Sequence, residues 1–280
     1  MRLFICGVRG STSAPGKEFV GVGGHTSCVA LAHDDEPPRL VLDAGTGLRV
    51  LTQVLDGAPF SGTILLGHLH WDHTEGLPFF AAGDRPDSKV SVLLPAQDGE
   101  AAALLGRTMA PPNFPITPSM LNGAWTFEHL TEGRHEIEGF VVLAREIPHK
   151  GGRTFGYRIT DRGGRSVAYL SDHAPQSLGD GASGLGELHP AAVELATDVD
   201  LLIHDAQYTV EEFAARRHYG HSAAPYPAEL AQRSGARRVL LFHHDPNRTD
   251  DQVAALAQDV RRRHPGVAID VATEGTVIDL

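Results

Sequence analysis

The sequence of 280 residues predicts a layered α/β fold, in which helices cover β-sheets. Two observations support this prediction. Short apolar runs of strand length alternate along the chain with segments whose apolar residues recur at helical spacing. In addition, 41% of the residues are hydrophobic, which is ample material for a large core. Because no repeat, charge block or low-complexity linker interrupts the pattern, we expect one domain over residues 1–280.

The strands of this fold are predicted from the short apolar runs and from the turn residues that flank them. We expect strands at residues 2–7, 27–33, 38–43, 62–67, 90–94, 139–147, 154–160, 165–170, 199–204, 237–242, 266–271 and 275–279.

The helices are predicted from amphipathic spacing, and several open with Asp, Ser, Thr or Pro as starting signals. We expect helices at residues 46–56, 74–82, 98–107, 187–197, 209–217, 225–234 and 250–263. Between two of these elements, the proline-rich segment MAPPNFPITPSM (109–120) has no regular period. Its composition predicts a stiff surface loop, which is either a binding loop or a plain connector.

Composition narrows the classes of function. The formal charge is -11, so we do not expect a large nucleic acid as partner, although bound divalent cations would make one pocket locally positive. No stretch has the length and apolarity of a membrane span, and the N-terminal apolar run is too short for a signal peptide, so we expect a cytoplasmic protein with no membrane contact. With two cysteines, a disulfide framework is not expected.

The segment GHLHWDH (67–73) directly follows the apolar run 63–66. Three histidines and one aspartate leave a predicted strand together, where their side chains can converge on one point. Imidazole nitrogens and carboxylate oxygens at this density are ligands for zinc or a similar divalent ion. The sequence therefore predicts a metal site whose first ligands are His68, His70, Asp72 and His73.

Further ligands are expected at other strand ends, because four ligands do not complete a site for two ions. His149, Asp172 and His243 are each the first strong ligand type after an apolar run. Taken alone, each residue is weak evidence for a metal site, since a single histidine in such a place is more often a helix cap or surface residue. Together with the first four they form a set that is large enough for two ions with a shared carboxylate.

These motifs, in this order, resemble the metallo-β-lactamase superfamily and, within it, the branch that contains ribonuclease Z and related phosphodiesterases. The resemblance rests on GVRGSTSAPG, GGHTSCVAL, LDAGTG, GHLHWDH, PHKGGRTFGYRI, AYLSDH, LLIHDAQY, GHSAA and LLFHHDP, and covers nearly the whole chain. It implies an αββα sandwich in which two mixed sheets face each other with helices outside.

The resemblance also implies roles for the predicted ligands. The first ion would take His68, His70 and His149, the second would take Asp72, His73 and His243, and Asp172 would bridge them. We expect two divalent ions, Zn²⁺ before Mn²⁺ or Fe²⁺, with a bridging hydroxide as nucleophile and Asp72 orienting it. By the same resemblance His221 in the GHSAA loop is the general acid and Asp205 its partner. His204 is expected to be structural.

The branch implies an enzyme that cuts phosphodiesters. In ribonuclease Z an arm that grips transfer RNA follows the histidine that corresponds to His149, whereas here residues 150–171 read as two strands and a turn. We therefore expect a small phosphodiester, preferably a cyclic nucleotide, with Phe114 beside the base and a homodimer as the assembly. The double histidine leaves open whether His244 or Asp245 touches substrate, and His25 is expected to be a turn residue.

Three alternatives remain. A nuclease of the ribonuclease Z type would use the same ions, but should show a basic groove. A lactone, ester or β-lactam hydrolase would use the same nucleophile on a carbonyl carbon, although His221 and Asp205 favour phosphorus. The third alternative is a metal-binding or ligand-sensing protein without catalysis, which a complete ligand set disfavours.

Overall fold

A computed structural model describes all 280 residues and contains two seven-stranded sheets. The strands are β1 (Arg2–Gly7), β2 (Cys28–Ala32), β3 (Leu40–Leu42), β4 (Ser61–Leu65), β5 (Lys89–Pro95), β6 (Ala124–Leu130), β7 (Gly133–Ile137), β8 (Phe140–Glu146), β9 (Phe155–Thr160), β10 (Ser166–Leu170), β11 (Leu201–Asp205), β12 (Arg238–Phe242), β13 (Ala268–Val271) and β14 (Val277–Asp279). The first sheet has the order β14-β1-β2-β3-β4-β5-β6, and the second has the order β13-β12-β11-β10-β9-β8-β7.

Six α-helices accompany the sheets. They are α1 (Leu48–Val54), α2 (Ala101–Gly106), α3 (Pro190–Ala196), α4 (Val210–Arg216), α5 (Tyr226–Ser234) and α6 (Asp250–Arg263). The helices α1 and α2 pack on the first sheet, whereas α3, α5 and α6 pack on the second. None of the helices has the length and apolarity that crossing a membrane requires.

The two sheets pack face to face, and alternation along each strand divides its side chains between two cores. In β4, Leu65 belongs to the core between the sheets, whereas Ile64 belongs to the core beneath α1 and α2. In β11, Ile203 likewise lies between the sheets and Leu202 lies beneath the helices of the second sheet. Four layers result, which confirms the predicted αββα sandwich of two mixed sheets.

The sequence prediction was wrong in two places. The helix expected at 74–82 is reduced to the single turn Leu77–Phe79, which follows another single turn at Trp71–His73, because Gly76 and Pro78 interrupt any longer helix. The strands β6 and β7 were missed. They form the outer edge of each sheet, so only one neighbour pairs with them and their apolar signal is weaker than that of central strands.

The parallel strands of the second sheet bring polar residues to one edge. β10, β11 and β12 run parallel, with Leu170 paired to His204 and Asp205 paired to Phe242. The residues that follow these strand ends therefore lie side by side, as carboxyl ends of parallel strands do in many ligand sites. His243 leaves β12 with φ 55°, a left-handed conformation that turns the chain sharply at this edge.

Candidate metal centre

The structure brings all seven predicted ligands together. These seven residues make up two groups of donor atoms, and a third group joins Asp172 and His243 to His221; within each group no two atoms are more than 4.8 Å apart. The first group joins the end of β4 to loops of the second sheet and the second group joins the turn 71–73 to the end of β12. The groups contain His68, His70, His149 and Asp172 in the first case, and Asp72, His73 and His243 in the second.

Asp172 lies between the two groups, and its carboxylate oxygens face opposite ways. Oδ2 lies 3.3 Å from Nε2 of His149 and 3.6 Å from Nε2 of His68. Oδ1 lies 3.2 Å from Nε2 of His73 and 3.0 Å from Nε2 of His243. A carboxylate placed in this way is able to bridge two ions, one on each side.

The second group closes around Asp72. Its Oδ2 lies 3.3 Å from Nε2 of His73 and 3.2 Å from Nε2 of His243. The same oxygen accepts a hydrogen bond of 2.6 Å from the backbone N–H of Ser11. Three segments distant in sequence therefore fix one carboxylate.

Hydrogen bonds on the far side of the rings set their orientation. Nδ1 of His73 donates to Oδ2 of Asp43 at 2.7 Å, which leaves Nε2 of His73 directed at Asp172. Nδ1 of His149 donates to the carbonyl of Gly220 at 2.7 Å, so Nε2 again points into the cluster. Metal-binding histidines are held in this manner, because the outer bond selects the tautomer that leaves the inner nitrogen free.

The donor set fits a divalent cation. Nε2 of His68 and of His73, together with both carboxylate oxygens of Asp172, are buried without a hydrogen-bond partner. Buried polar atoms are almost always paired, and a buried carboxylate without compensation costs several kcal/mol. Cations between the two groups would satisfy these atoms, and nitrogen and oxygen donors suit zinc.

Burial and neighbouring charges shift the pKa values of the imidazole rings in the cluster. Burial lowers the pKa of His149 to about 4 and holds the pKa of His68 well below its usual value, so both rings are neutral ligands at neutral pH. Burial also acts against a charge on His73, but Asp72, Asp43 and Asp172 outweigh it and raise its pKa well above the usual value. A divalent cation would take the place of that proton.

His221 and Asp205 form a pair at the edge of the cluster, where Nδ1 of His221 also lies 3.8 Å from Oδ2 of Asp172. Nδ1 of His221 lies 3.1 Å from Oδ2 of Asp205, and that oxygen also accepts the backbone N–H of Ser222 at 3.2 Å. Burial opposes a charge on His221, yet Asp205, Asp172 and Asp72 together raise its pKa to about 9. His221 and Asp172 both line a cavity of about 340 Å³ that opens above the cluster.

Other histidines singled out from the sequence lie outside the cluster. His204 is buried and hydrogen-bonds to His173 at 3.0 Å, as expected of a structural residue. His244 points away from His243, and its Nε2 lies 3.2 Å from the carbonyl of Ala272. His25 hydrogen-bonds to Thr46 in its turn.

Two residues that sequence reasoning missed help to build the site. Asp43 supports His73, and Ser11 binds Asp72 through its backbone. Asp43 could have been found, because it directly follows β3 as the first ligand type after an apolar run, like the residues that were chosen. Ser11 contributes a backbone N–H from a left-handed position (φ 65°), and no side-chain pattern indicates such a contact.

A family model described as the beta-lactamase superfamily domain matches residues 38–244, well over half of the chain. This chain belongs to the metallo-β-lactamase superfamily. The match contains all seven clustered residues, with His243 next to its C-terminal end. Membership confirms the predicted enzyme class, a metal-dependent hydrolase.

Within the superfamily, the chain is similar to proteins named ribonuclease Z. A ribonuclease Z of Salinibacter ruber is 27% identical over 256 residues, covering 76% of this chain and 78% of the relative. Two solved structures share the fold. They are the metallo-beta-lactamase fold protein YhfI from Bacillus subtilis (TM-score 0.69, 15% identity, 99% of this chain and 98% of that one) and human tRNase Z, short form (TM-score 0.65, 20% identity, 100% and 99%).

These relatives correct one expectation. The acidic net charge led us to expect no large nucleic acid as partner, and that expectation was wrong, because relatives named ribonuclease Z match most of the chain. Net charge sums the whole surface and says little about one cavity. A site that holds divalent cations is locally positive whatever the sign of the total.

Proposed function

We propose that this protein is a dinuclear metal-dependent phosphodiesterase that hydrolyses phosphodiester bonds of RNA. The observation that carries the proposal is Asp172, whose two oxygens face separate groups of nitrogen ligands beside the His221–Asp205 pair. Its relatives bear the name ribonuclease Z, which supports RNA as the substrate.

The first group would hold one ion through His68, His70 and His149, the second would hold another through Asp72, His73 and His243, and Asp172 would contact both. Bound divalent ions supply Lewis acidity, which makes water more acidic and stabilises negative charge on phosphoryl oxygens. The ions are proposed to be zinc, with manganese or iron as alternatives.

His221 is proposed to protonate the leaving oxygen. Asp205 accepts from Nδ1, so the proton on Nε2 is available to a substrate in the cavity that His221 lines. Burial opposes a charge on His221, and Asp205, which the proposed cations would not contact, acts against burial to raise its pKa; a protonated ring is what a general acid requires. The side chain of Asp72, held by Ser11, lines the same cavity and is proposed to orient the attacking water.

A small phosphodiester such as a cyclic nucleotide is a second candidate. The observation that favours it is the short connection from His149 to Asp172, which consists of β9 and β10 joined by the turn 161–165. No long arm extends from this part of the structure to hold a large substrate.

The test is a substrate panel with metal-loaded protein. It contains a short RNA with a 3′ extension, linear dinucleotides, cyclic purine and pyrimidine monophosphates, bis(p-nitrophenyl) phosphate and a lactone. Cleavage of the RNA supports the proposal, and turnover of cyclic nucleotides alone supports the second candidate. Rapid opening of the lactone with no turnover of any diester would overturn both.

Two variants separate the proposed roles. His221→Ala is expected to lower kcat about a hundredfold or more, while metal content stays near that of the native protein. Asp172→Asn is expected to lose both metal and activity. Loss of metal from His221→Ala would show that His221 is a ligand and not the acid.

A further inference from the structure

A second cavity adjoins the metal centre and is not used by the chemistry described so far. It encloses about 510 Å³, a volume within the usual range for small-molecule sites. We call it the aromatic pocket, and its characteristic residues are Trp71, Pro78, Phe79, Arg107, Met109 and Phe114. The proline-rich segment forms one wall and the two single turns after β4 form the other.

Trp71 connects the aromatic pocket to the metal centre. It lies between His70 and Asp72 in the chain, and its ring lines both the polar cavity above the cluster and the aromatic pocket. A molecule bound at the cluster would therefore reach the aromatic pocket across a single side chain.

The aromatic rings of the pocket are open to solvent. Trp71 is 70% exposed and Phe79 is 56% exposed, and Phe114 packs edge-on against Phe79 with ring centroids 5.8 Å apart. Aromatic rings that stay in water do not contribute the stabilisation that their burial would give to the fold. On a monomer, a patch of such rings commonly marks a binding site. The indole N–H of Trp71 and the guanidinium of Arg107 make no hydrogen bond within the protein, and Asn113 contacts only the backbone carbonyl of Arg107.

The division of polarity identifies the ligand. The cavity above the cluster is lined by carboxylates and imidazoles that suit a phosphate held by cations, whereas the neighbouring pocket presents aromatic rings and the guanidinium of Arg107. Polar side chains also line this pocket and offer hydrogen bonds at its rim; they are Thr74, Glu75, Thr108 and Asn113. A nucleotide has the same division, because a charged phosphate and a planar base are joined through one ribose. Bases stack on aromatic side chains, and arginine donors match the acceptor atoms on base edges.

We propose that the aromatic pocket binds the nucleobase of the nucleotide whose phosphodiester lies at the metal centre. This inference rests on the proposed function, which supplies the phosphodiester. Trp71 stacks on the base, Phe79 and Phe114 close the other side, and Arg107 contacts the base edge.

The binding test uses the two tryptophans of the chain. In Trp125→Phe protein, Trp71 is the sole tryptophan and its fluorescence reports on the pocket. We expect adenosine 5′-monophosphate to quench it and ribose 5-phosphate, which lacks the base, to leave it nearly unchanged. Phe79→Ala is expected to weaken nucleotide binding at least about fivefold, since base stacking contributes roughly 1–3 kcal/mol. Equal binding of the two ligands would overturn the proposal.

A kinetic test does not depend on the Trp125 variant. Trp71→Ala and Phe79→Ala are expected to lower kcat/KM for a short RNA about tenfold to a hundredfold, with metal content unchanged, and to have little effect on an RNA that is abasic next to the cleaved bond. Val277→Ala, a control on the exposed strand β14, should match the native protein. Equal losses for the two RNAs would overturn the proposal.

The two tests also separate this inference from the proposed function. Selective quenching by the base-bearing nucleotide without hydrolysis of any diester would support the base site and reject the enzymatic proposal. Hydrolysis of RNA with equal binding of the two probe ligands would reject the base site and retain the enzyme.

Discussion

At the scale of single residues, Asp43 shows how a buried carboxylate supports the centre without belonging to it. It accepts four hydrogen bonds, at Oδ1 from the backbone N–H of Gly67 and at Oδ2 from His73, Tyr169 and Ser171. An asparagine offers one acceptor oxygen in place of two, so it cannot receive all four donors.

Asp43→Asn is therefore expected to lower metal affinity about tenfold to a hundredfold, because His73 loses the bond that orients its ring. Competition with a chromogenic chelator measures this affinity, and Asp87→Asn on the exposed surface is the control. Unchanged affinity would mean that His73 does not depend on Asp43 for its orientation.

Gly10 offers a steric test of His243. A Cβ atom on Gly10 would lie 2.3 Å from Cε1 and Nδ1 of the His243 ring, which is far closer than atoms can approach. Gly10→Ala is expected to displace that ring and to reduce metal content from the proposed two ions per chain towards one, as measured by elemental analysis. Gly106→Ala is the matched control, since an added Cβ there meets no atom within 4 Å.

The clustering of these seven residues could be predicted from the sequence, because all are strong donor types that follow apolar runs. Parallel strands carry Asp172 and His243 to the same edge, the motif 68–73 supplies four more residues, and His149 follows the antiparallel strand β8. The contributions of Ser11 and Gly220 could not be predicted, since they use backbone atoms that any residue possesses.

At the scale of elements, local signals decided which predictions succeeded. The helix α6 has the predicted bounds, because Thr249 and Gln252 form a capping box at its first turn and His264 ends it. The missed strand β6 does show alternation, with Trp125 and Phe127 packed against the core beneath α1 and α2. Its remaining positions are mostly polar or exposed, which is typical of an edge strand but easily read as a loop.

The helix α4 allows a prediction about pH. Glu212 completes its capping box and also binds Arg248. Burial acts to raise the pKa of Glu212, but the Thr209 N–H and Arg248 outweigh it and lower the pKa. The carboxylate therefore stabilises the fold above its usual pKa of 4.5, and this contribution is lost as the pH falls through the lowered value.

Glu212→Gln keeps the cap hydrogen bond and removes the charge. We expect it to lower the free energy of unfolding by less than about 1 kcal/mol at pH 7, and to have a smaller effect near pH 3. Urea denaturation at the two pH values measures the difference. Glu211→Gln, in the same turn, should change neither value, and an equal loss at both pH values would contradict the role of the charge.

At the scale of the whole molecule, metal binding and stability are expected to be linked. The cluster buries Asp72, Asp172 and several imidazoles at one place, and cations would compensate the charge of the carboxylates. Because the unfolded chain does not form this site, the cations would stabilise only the folded state.

Removal of metal with a chelator is therefore expected to lower Tm. A ligand at a hundred times its Kd stabilises a fold by about 2.7 kcal/mol. Differential scanning calorimetry with and without the chelator measures the shift, and Asp172→Asn, which should bind no metal, is the control. An identical Tm in both conditions would show that the cluster is already compensated without cations.

The proposed ligands are contributed by both parts of the sandwich. His68, His70, Asp72 and His73 follow a strand of the first sheet, whereas His149, Asp172 and His243 follow strands of the second. Neither sheet alone carries a complete set for either ion, since His149 completes the first group and His243 the second. Tight metal uptake during refolding should therefore begin only after the sheets have docked, so its time course would mark that late step in the assembly of the chain.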